Sequence, residues 1–401
     1  YDGDGWLDLY LPNRTAGDTD IANEMFHNLG NGSFEAVGAV LGVDDGGAGF
    51  QAVFFDYDLD GDVDLYLAND KGSPEFPNRL WKNVGGTFID VSAESGTDVY
   101  DDLMGVAVGD FDRNGFPDLY VTNVPNQGNP LLLNQGDGTF VEAHDKAGVG
   151  VLASGWGTLF FDYDNDGDED LYVVNSIAPN VLFRYDGFFP AIDVAEQMGL
   201  AEDGSSFCTA VADVDDDGDL DILLQTGLVR IQLLINHASD AGGDSNNWLK
   251  VRLVGVGPNK HAVGARVDIQ SGGEAQSRQV FSGIGFKSSS TLVQHFGLGG
   301  AGLAESVVVH WPSGAESVLH NVPANQTLVV DEACAQYGDF DCDGATTLSD
   351  YALLQACLSG PGVKTTPEGC DELVVLSADV DGDGDLDLKD VAAFLVVLDS
   401  R

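Results

Sequence analysis

The sequence has very few basic residues. Only 17 lysines and arginines stand against 66 aspartates and glutamates, which gives a formal net charge of -49 at pH 7. A chain with so little positive charge has no basic surface for binding nucleic acid or an anionic membrane. We therefore expect neither partner, and divalent cations are the natural partners of such a chain.

Long apolar runs are missing as well. The apolar run near the C-terminal end, residues 391–398, is far shorter than the roughly 20 residues that a bilayer-spanning helix needs. We therefore expect no membrane insertion. No signal peptide is present, but the chain opens as YDGDGWLDLY, inside a motif that recurs later in full. This predicts that the N-terminal part of the protein, with its signal peptide, is missing from this sequence.

Cysteine is scarce, and four of the five cysteines crowd near the C-terminal end. Cys334, Cys342, Cys357 and Cys370 include no CxxC spacing, which favours two disulfides over a zinc site. Disulfides indicate an oxidising, extracytoplasmic setting. Four cysteines allow three pairings, among which we favour the sequence-local one, Cys334 with Cys342 and Cys357 with Cys370.

Aspartate and glycine, by contrast, are abundant and form a repeated loop. Residues 56–64, DYDLDGDVD, have carboxylates at loop positions 1, 3, 5 and 9 and glycine at position 6, the spacing of a calcium loop. Full loops begin at residues 56, 110, 162 and 213, about fifty residues apart. Two aspartates about 4 Å apart repel by roughly 4 kcal/mol at an effective dielectric of 20, so this spacing predicts a bound cation.

We number these loops 1 (residues 2–8, truncated), 2 (56–64), 3 (110–118), 4 (162–170) and 5 (213–221). The predicted ligands are the side chains at positions 1, 3, 5 and 9 and the carbonyl at position 7. The side chains are Asp2, Asp4 and Asp8 in loop 1, Asp56, Asp58, Asp60 and Asp64 in loop 2, Asp110, Asp112, Asn114 and Asp118 in loop 3, Asp162, Asp164, Asp166 and Asp170 in loop 4, and Asp213, Asp215, Asp217 and Asp221 in loop 5. Because Asn114 replaces an acid, we expect loop 3 to bind calcium more weakly.

Strand patterns surround each loop. A small, apolar run precedes it, and a β-rich run such as DLYLAN follows it, then a segment such as NRLWKN and a glycine turn leading to TFID. This predicts four short strands per unit, as in a β-propeller blade, where radial closure protects strand edges. The first unit lacks its leading strand, and the last lacks an obvious fourth.

These motifs resemble a known repeat family. The FDYDxDGDxDLY core, with its following NxLxxN and GTF elements, is similar to the FG-GAP or VCBS repeats of integrin-α-like propellers. The resemblance implies a mainly β fold over residues 1–236, in which calcium pins a β-hairpin. Because this family usually closes with seven blades, five loops imply an N-terminally truncated part of a seven-bladed propeller.

A second β-rich segment follows a linker, HASDAGGDSNN, that begins at His237. Residues 246–332 contain NWLKVRLVG, NKHAVGARVDI, HFGLGGAG, ESVVVHWPSG and NQTLVV. These phrases resemble the ASPIC/UnbV domain, which follows such propellers in cartilage-acidic-protein-like and bacterial secreted proteins. The resemblance implies a small all-β domain and indicates architecture more than activity.

The loop returns in residues 334–401, now with an acid at position 12 and a helical pattern after it, YALLQACL or VAAFLVVL. Two half EF-hands of this kind resemble a type I dockerin, which implies a small α-helical, calcium-folded module and a cohesin-type scaffold as partner. Thr346 stands where the first loop of a dockerin usually has an aliphatic residue. In that family, loop positions 10 and 11 recognise cohesin, and here they are Leu348-Ser349 and Leu388-Lys389. The predicted ligands are Asp339, Asp341, Asp343 and Asp350, then Asp379, Asp381, Asp383, Asp387 and Asp390.

Three functions are compatible with these features, the third being a purely structural surface-layer or matrix component. The first is a secreted, extracellular or cell-surface, non-catalytic recognition or adhesion protein with about seven calcium sites and a glycan or protein ligand. The alternative is a component of an extracellular polysaccharide-degrading system with lyase or glycoside hydrolase activity. A glycosidase needs a carboxyl of raised pKa, whereas nearly all the clustered acids have ligand spacing, where a cation lowers the pKa. No GxSxG, HExxH or Walker motif occurs in the sequence. We therefore favour the first function.

Overall fold

The chain folds as two units in this computed structural model, which describes residues 1–14, 22–71, 76–125, 127–227, 229–238, 246–343, 345–367 and 369–399. The first unit comprises Tyr1–Ser245 and Phe281–Leu292, and the second comprises Asn246–Val280 and Val293–Arg401. Most of the predicted linker lies outside the described residues.

Among the residues that the structure describes, the first unit contains five antiparallel sheets, one for each predicted loop. In chain order the strands are β1 Leu9–Leu11, β2 Glu24–Asn28 and β3 Phe34–Ala36; β4 Ala48–Phe55, β5 Asp64–Asp70, β6 Arg79–Val84 and β7 Thr87–Asp90; β8 Val106–Gly109, β9 Asp118–Val121, β10 Leu131–Asn134 and β11 Phe140–Glu142; β12 Gly155–Phe161, β13 Asp170–Asn175, β14 Val181–Arg184 and β15 Ile192–Asp193; and β16 Ser206–Ala212, β17 Asp221–Thr226 and β18 Arg230–Leu234. The middle three sheets have four strands, and the first and last have three, as the sequence predicted.

Each full loop connects the first two strands of its sheet. The position 9 aspartate is the first residue of the second strand in all four cases, and Phe55 pairs with Asp64 just as Phe161 pairs with Asp170. A calcium loop that closes a β-hairpin needs no exit helix. The predicted place of the loop within the unit is therefore confirmed.

Apolar cores lie between consecutive sheets. One core joins Phe55 and Tyr66 to Val108 and Leu119, and the next joins Tyr120 to residues such as Leu171. The tyrosines of the DLY motifs that follow loops 2, 3 and 4 are Tyr66, Tyr120 and Tyr172, and they have no exposed surface. Truncation of such a side chain typically costs about 3 to 5 kcal/mol, so these cores hold each sheet against its neighbour.

A one-turn helix follows the outermost strand of each of the first four sheets. These helices are α1 Gly38–Leu41, α2 Ser92–Ser95, α3 His144–Ala147 and α4 Ala195–Met198. Each ends at a glycine with φ between 71 and 76°, a left-handed conformation that terminates the helix. The sequence analysis did not predict these helices, although the glycine that ends each of them was an available signal.

The described part of the second unit has two sheets. Their strands are β19 Asn247–Val254, β20 Arg266–Ser271, β21 Glu274–Gln279, β22 Gln294–Gly299, β23 Leu303–His310, β24 Glu316–Pro323 and β25 Gln326–Asp331. The first sheet has the order β22-β19-β25, with β19 and β25 parallel, and the second has the antiparallel order β21-β20-β23-β24. The all-β character predicted for this segment is confirmed.

Helices end the second unit. After a 3-10 turn at Glu332–Cys334 come α5 Leu348–Cys357, α6 Glu372–Ala378 and α7 Leu388–Asp399. Helices α5 and α7 directly follow the two C-terminal loops, as predicted, while α6 was not foreseen. Disulfides join Cys334 to Cys342 and Cys357 to Cys370, which is the favoured pairing. Among the described residues, no helix is long and apolar enough to cross a membrane.

The segment Phe281–Leu292 belongs to the first unit although second-unit strands flank it in sequence. The ring of Phe286 stacks on Phe50 with 5.0 Å between centroids and lies 5.3 Å from Trp156. Ser288 donates from Oγ to the carbonyl oxygen of Thr209 at 2.7 Å. This segment therefore packs on the first strands of three different sheets, β4, β12 and β16.

Candidate metal centres

The four full loops share one backbone conformation. Position 4 is left-handed in each, with φ near 60° at Leu59, Arg113, Asn165 and Asp216. The position 6 glycines have φ between 91 and 98°, and a Cβ at Gly61 or Gly115 would meet no atom within 4 Å. Glycine is thus required by backbone conformation and not by lack of space.

This conformation brings three carboxylates together in each full loop. One oxygen from each of the side chains at positions 1, 3 and 9 lies within 4.8 Å of the others. The sets are Asp56, Asp58 and Asp64; Asp110, Asp112 and Asp118; Asp162, Asp164 and Asp170; and Asp213, Asp215 and Asp221. At that separation each charged pair repels by about 3 kcal/mol at an effective dielectric of 20, so three ionised acids need a counter-cation.

The position 9 aspartate is buried and fixed from two sides. In loop 3, Asp118 accepts from the backbone N–H of Phe111 at 2.9 Å through Oδ2 and from that of Asn134 at 2.7 Å through Oδ1. The corresponding aspartates of loops 2, 4 and 5 accept the same two kinds of bond. The strand after the hairpin therefore positions one carboxylate before any ion binds.

Positions 1 and 5 have local partners. Asp56 accepts from the N–H of Gly61 at 3.0 Å, and Asp60 accepts from the N–H of Asp62 at 3.1 Å through Oδ1. In loop 3, Asn114 uses its side-chain oxygen in the same way, while its amide nitrogen donates to the carbonyl of Asn134 at 2.6 Å. Asn114 therefore adds no charge to the site, and the weaker calcium binding of loop 3 stays a prediction.

Burial raises the pKa of several of these acids when no cation is near. Desolvation, with smaller contributions from Asp58 and Asp56, raises the pKa of Asp64 to about 8. Burial is also the main cause of pKa values well above the ordinary value at Asp118 and Asp170, and it raises the pKa of Asp166 to about 7. A bound divalent cation would reverse these shifts because it favours the ionised form.

A lysine lies against loop 2. The ammonium of Lys82 on β6 forms ion pairs with Asp58 and, at 3.0 Å, with Asp60. The hydrogen bond to Asp58 is the main cause of a raised pKa at Lys82. The equivalent strand position, one residue before the residue that donates to the position 9 aspartate, is Leu133 for loop 3 and Ile235 for loop 5. Loop 2 thus has an internal cation that loops 3 and 5 lack.

The donor atoms suit calcium. All the predicted ligands in the full loops are oxygens, which hard cations such as Ca²⁺ and Mg²⁺ prefer, and the loops offer no thiolate or imidazole that would favour zinc. In loop 2, Asp58 Oδ1 is buried and has no hydrogen-bond donor. A bound Ca²⁺ would supply the missing positive charge and link the two strands that each loop connects.

Loop 1 has a different composition. Asp2 and Asp8 come together with His27, whose Nδ1 lies 3.4 Å from Asp2 Oδ2 and 3.2 Å from Asp8 Oδ1. Asp4 instead accepts from the N–H of Trp6 at 2.8 Å. Sequence reasoning missed His27, and its position on β2, equivalent to that of Lys82 on β6, was the available signal.

In the two C-terminal loops, the aspartate at position 12 accepts two backbone N–H bonds, as the aspartate at position 9 does in the full loops of the first unit. Asp350 has no exposed surface, and it accepts from the N–H groups of Phe340 and Thr347, both at 2.7 Å. Asp390 accepts in the same way from Val380 and Asp387. Through these bonds the first helical turn closes each loop.

The remaining C-terminal ligands are arranged less uniformly. The side chain of Asp339 accepts from the backbone N–H of Asp343. The side chain of Asp343 in turn accepts from the backbone N–H of Ala345. The side-chain oxygen Asp379 Oδ1 is buried without a donor, and Lys389 bridges Asp381 and Asp383 at 2.7 and 3.0 Å. The side chain of Asp341 accepts from the backbone N–H of Asp343, and that of Asp387 accepts from the backbone N–H of Lys389.

Comparison with known families agrees with this geometry. Residues 1–67, 56–121 and 162–224 match the FG-GAP-like repeat, and residues 255–336 match the family called ASPIC and UnbV. The chain contains FG-GAP-like repeats and an ASPIC and UnbV domain. The resemblances drawn from the loop motif and from the second β-rich segment are therefore confirmed. The FG-GAP-like repeats fit a propeller-like fold.

Curated relatives match 63 to 66% of the chain. The chain is 33% identical over 267 residues to cartilage acidic protein 1 of Xenopus tropicalis, covering 63% of this chain and 40% of that protein. It is 31% identical over 278 residues to the Homo sapiens protein of that name, covering 66% and 40%. The chain thus spans 40% of the length of these relatives.

Two solved structures show weaker likeness. One is an Agrocybe aegerita lectin described as recognising non-reducing terminal N-acetylglucosamine, with a TM-score of 0.32, 18% identity, and coverage of 59% of this chain and 67% of that one. The other is the V. cholerae biofilm matrix protein Bap1, with a TM-score of 0.28, 11% identity, and coverage of 68% and 59%. At these TM-scores neither likeness supports an argument about function.

Proposed function

We propose that this chain is part of a secreted, calcium-binding recognition or adhesion protein without catalytic activity. The observation that carries the proposal is the recurrence of the same three-carboxylate set in loops 2 to 5. Four equivalent sites repeated in four sheets suit structural ions, because a catalytic centre needs one distinct set of groups. The two disulfides support an oxidising, extracytoplasmic location.

Calcium in this proposal is a structural cofactor with about seven sites, five in the repeats and two before α5 and α7. Ions that bind only the folded state add their binding free energy to stability. The recognition surface is then a rigid, calcium-loaded array of propeller blades, and its ligand is an extracellular glycan or protein.

The C-terminal helices are proposed as an attachment module that binds a cohesin-type scaffold. Leu348 and Leu388 begin α5 and α7, and they are 72% and 78% exposed. Exposed leucines at two equivalent loop positions would serve a partner surface, whereas they contribute nothing to the core of this module. Thr346 does not disturb the loop, since its hydroxyl donates to the carbonyl of Tyr337 at 3.3 Å.

A binding and turnover screen tests the proposal. The purified chain is incubated with extracellular polysaccharides and matrix proteins, in calcium and in chelator, and both retention and reaction products are measured. We expect saturable, calcium-dependent binding without product. Neutralisation of loop 4 by Asp162→Asn with Asp164→Asn should weaken binding, whereas the exposed control Glu94→Gln should not. Turnover of any polysaccharide would instead establish the alternative, a lyase or glycoside hydrolase.

A further inference from the structure

A cleft of about 830 Å³ lies beside the fourth sheet of the first unit, outside all the metal loops. Residues before β12, the turn between β13 and β14, and the region around α4 form its walls. A volume of this size is in the range of small-ligand sites. None of the functions discussed above uses this cleft.

One buried acceptor in the cleft wall lacks a donor. Asn175 has no exposed surface, and its amide nitrogen donates to the carbonyl of Pro179 at 2.8 Å. Its backbone N–H donates to Asn180 at 2.9 Å, which fixes the side chains of both residues. The side-chain oxygen Asn175 Oδ1 is nevertheless buried without a hydrogen bond. Leaving a buried oxygen without a hydrogen bond is unfavourable, so a ligand that donates to it would be stabilised.

The charged residues that line the cleft are all acidic. Asp193, Glu196 and Asp203 all line the cleft, and the described lining residues include no lysine, arginine or histidine. Asp193, Glu196 and Asp203 are all exposed, and Asp193 also accepts from the N–H of Ala195 at 3.0 Å through Oδ1. The field at the cleft therefore favours a positively charged group.

The rest of the lining is aliphatic. Leu152 and Ile177 are 66% and 71% exposed at the cleft, and Val151 and Val181 lie deeper. Large apolar side chains that stay exposed around a polar centre are typical of ligand-binding surfaces. An aliphatic stem that ends in a charged head is complementary to this combination.

We infer that the cleft beside Asn175 binds a primary alkylammonium, either the side chain of a lysine or a free aliphatic amine. The ammonium donates to Asn175 Oδ1 and faces the carboxylates of Glu196 and Asp203, while its methylene stem lies against Leu152 and Ile177. An ammonium fits because it has three donors and no acceptor. This inference rests on the recognition role proposed above and gives it a ligand class.

Calorimetric titration of the full chain tests the inference, in calcium-saturated buffer at about 150 mM salt so that diffuse attraction is screened. The probes are 1,5-diaminopentane and N-acetyl-lysine amide, which separate the two sources of the ammonium, and 1-pentanol is the neutral control. We expect saturable binding of at least one amine and binding of 1-pentanol at least tenfold weaker. Because screened ion pairs contribute modestly, each neutralised rim carboxylate should weaken binding about three- to fivefold.

The variants make the test specific. Glu196→Gln with Asp203→Asn should weaken amine binding about tenfold, whereas Glu94→Gln with Asp145→Asn, the same charge change elsewhere on the first unit, should leave it unchanged. Asn175→Leu should abolish binding, and calcium titration of each variant checks that it is folded. Failure of both amines to saturate, or equal weakening by the control pair, would overturn the inference while leaving the calcium sites intact.

Discussion

The side-chain amide of Asn134 donates a 2.8 Å hydrogen bond to the carbonyl oxygen of Tyr57, 77 residues earlier in the chain. The backbone N–H of the same residue donates to Asp118 at 2.7 Å. Asn134 therefore joins position 2 of loop 2 to position 9 of loop 3. Asn83 and Asn236 make the equivalent bonds, from their side chains to Tyr1 and Tyr163. Neighbouring loops are thus physically coupled.

Loops 3 and 4 are linked differently. Tyr185 replaces the asparagine there, and the position 4 side chain Arg113 forms an ion pair with Asp168 at position 7 of loop 4 at 2.5 Å. Asn165 of loop 4 donates to Asp219 of loop 5 at 2.8 Å in the same manner. Side chains of consecutive loops are therefore in contact along the array.

Removal of the Asn134 side chain tests this coupling. Asn134→Ala deletes bonds to Tyr57 and to Pro117 at a buried position, and it leaves carbonyl groups without donors. We expect a loss of about 1 to 3 kcal/mol in the free energy of unfolding and weaker calcium binding at two sites, loops 2 and 3. Denaturant unfolding and calcium titration measure both. The neighbouring exposed variant Gln135→Ala is the control, and a change confined to one site would contradict the coupling.

Lys82 should compete with calcium for loop 2. Its ammonium must leave Asp58 and Asp60 before an ion can use both carboxylates. Lys82→Met should therefore raise the calcium affinity of one site about three- to tenfold, which is the range expected for two partly exposed ion pairs. Titration with a calcium-sensitive dye measures it. Lys260→Met makes the same change of charge at an exposed position in the second unit, outside the loop segments, and an equal gain there would show a general charge effect instead.

Stability should depend on pH in opposite ways with and without calcium. In chelator, folded Asp64 and Asp166 have pKa values of about 8 and about 7, above the unfolded value of roughly 4. The folded state then binds more protons than the unfolded state, so the free energy of unfolding falls as pH rises through this window. In calcium these acids are ionised when folded, and stability is instead lost as pH falls.

Urea unfolding at pH 6 and pH 8 measures the trend in chelator, because exposed carboxylates are already ionised throughout that range. In calcium we expect no fall in stability between these two pH values, and a loss only as pH falls toward the unfolded pKa of roughly 4. Asp64→Asn removes one of the responsible groups and should flatten the slope seen in chelator. The same slope in chelator and in calcium would contradict the account.

The sequence predicted those features that depend on local pattern. Loop spacing located Asp56, Asp58 and Asp64, and strand patterns predicted three strands in the first and last sheets. Both features depend on residues that are close in sequence, because the nine residues of a loop determine where its carboxylates lie. The local disulfide pairing was predicted for the same reason.

Contacts between distant residues could not be predicted. The bond from Asn134 to Tyr57 depends on how one sheet packs against the next, and no local pattern reports that. The same holds for Phe286, which stacks on Phe50 of the first unit although it lies between second-unit strands in sequence. The repeated NxLxxN motif did contain the relevant asparagine, so its recurrence was a usable sign of an inter-sheet role.

Calcium titration of the chelator-stripped chain, followed by thermal unfolding with and without the ion, tests the central claim most directly. We predict about seven sites, or six if the truncated loop 1 does not bind, together with a large rise in melting temperature. Two sites only, with no stabilisation of the first unit, would contradict the claim and leave the repeated aspartate loops as acidic turns.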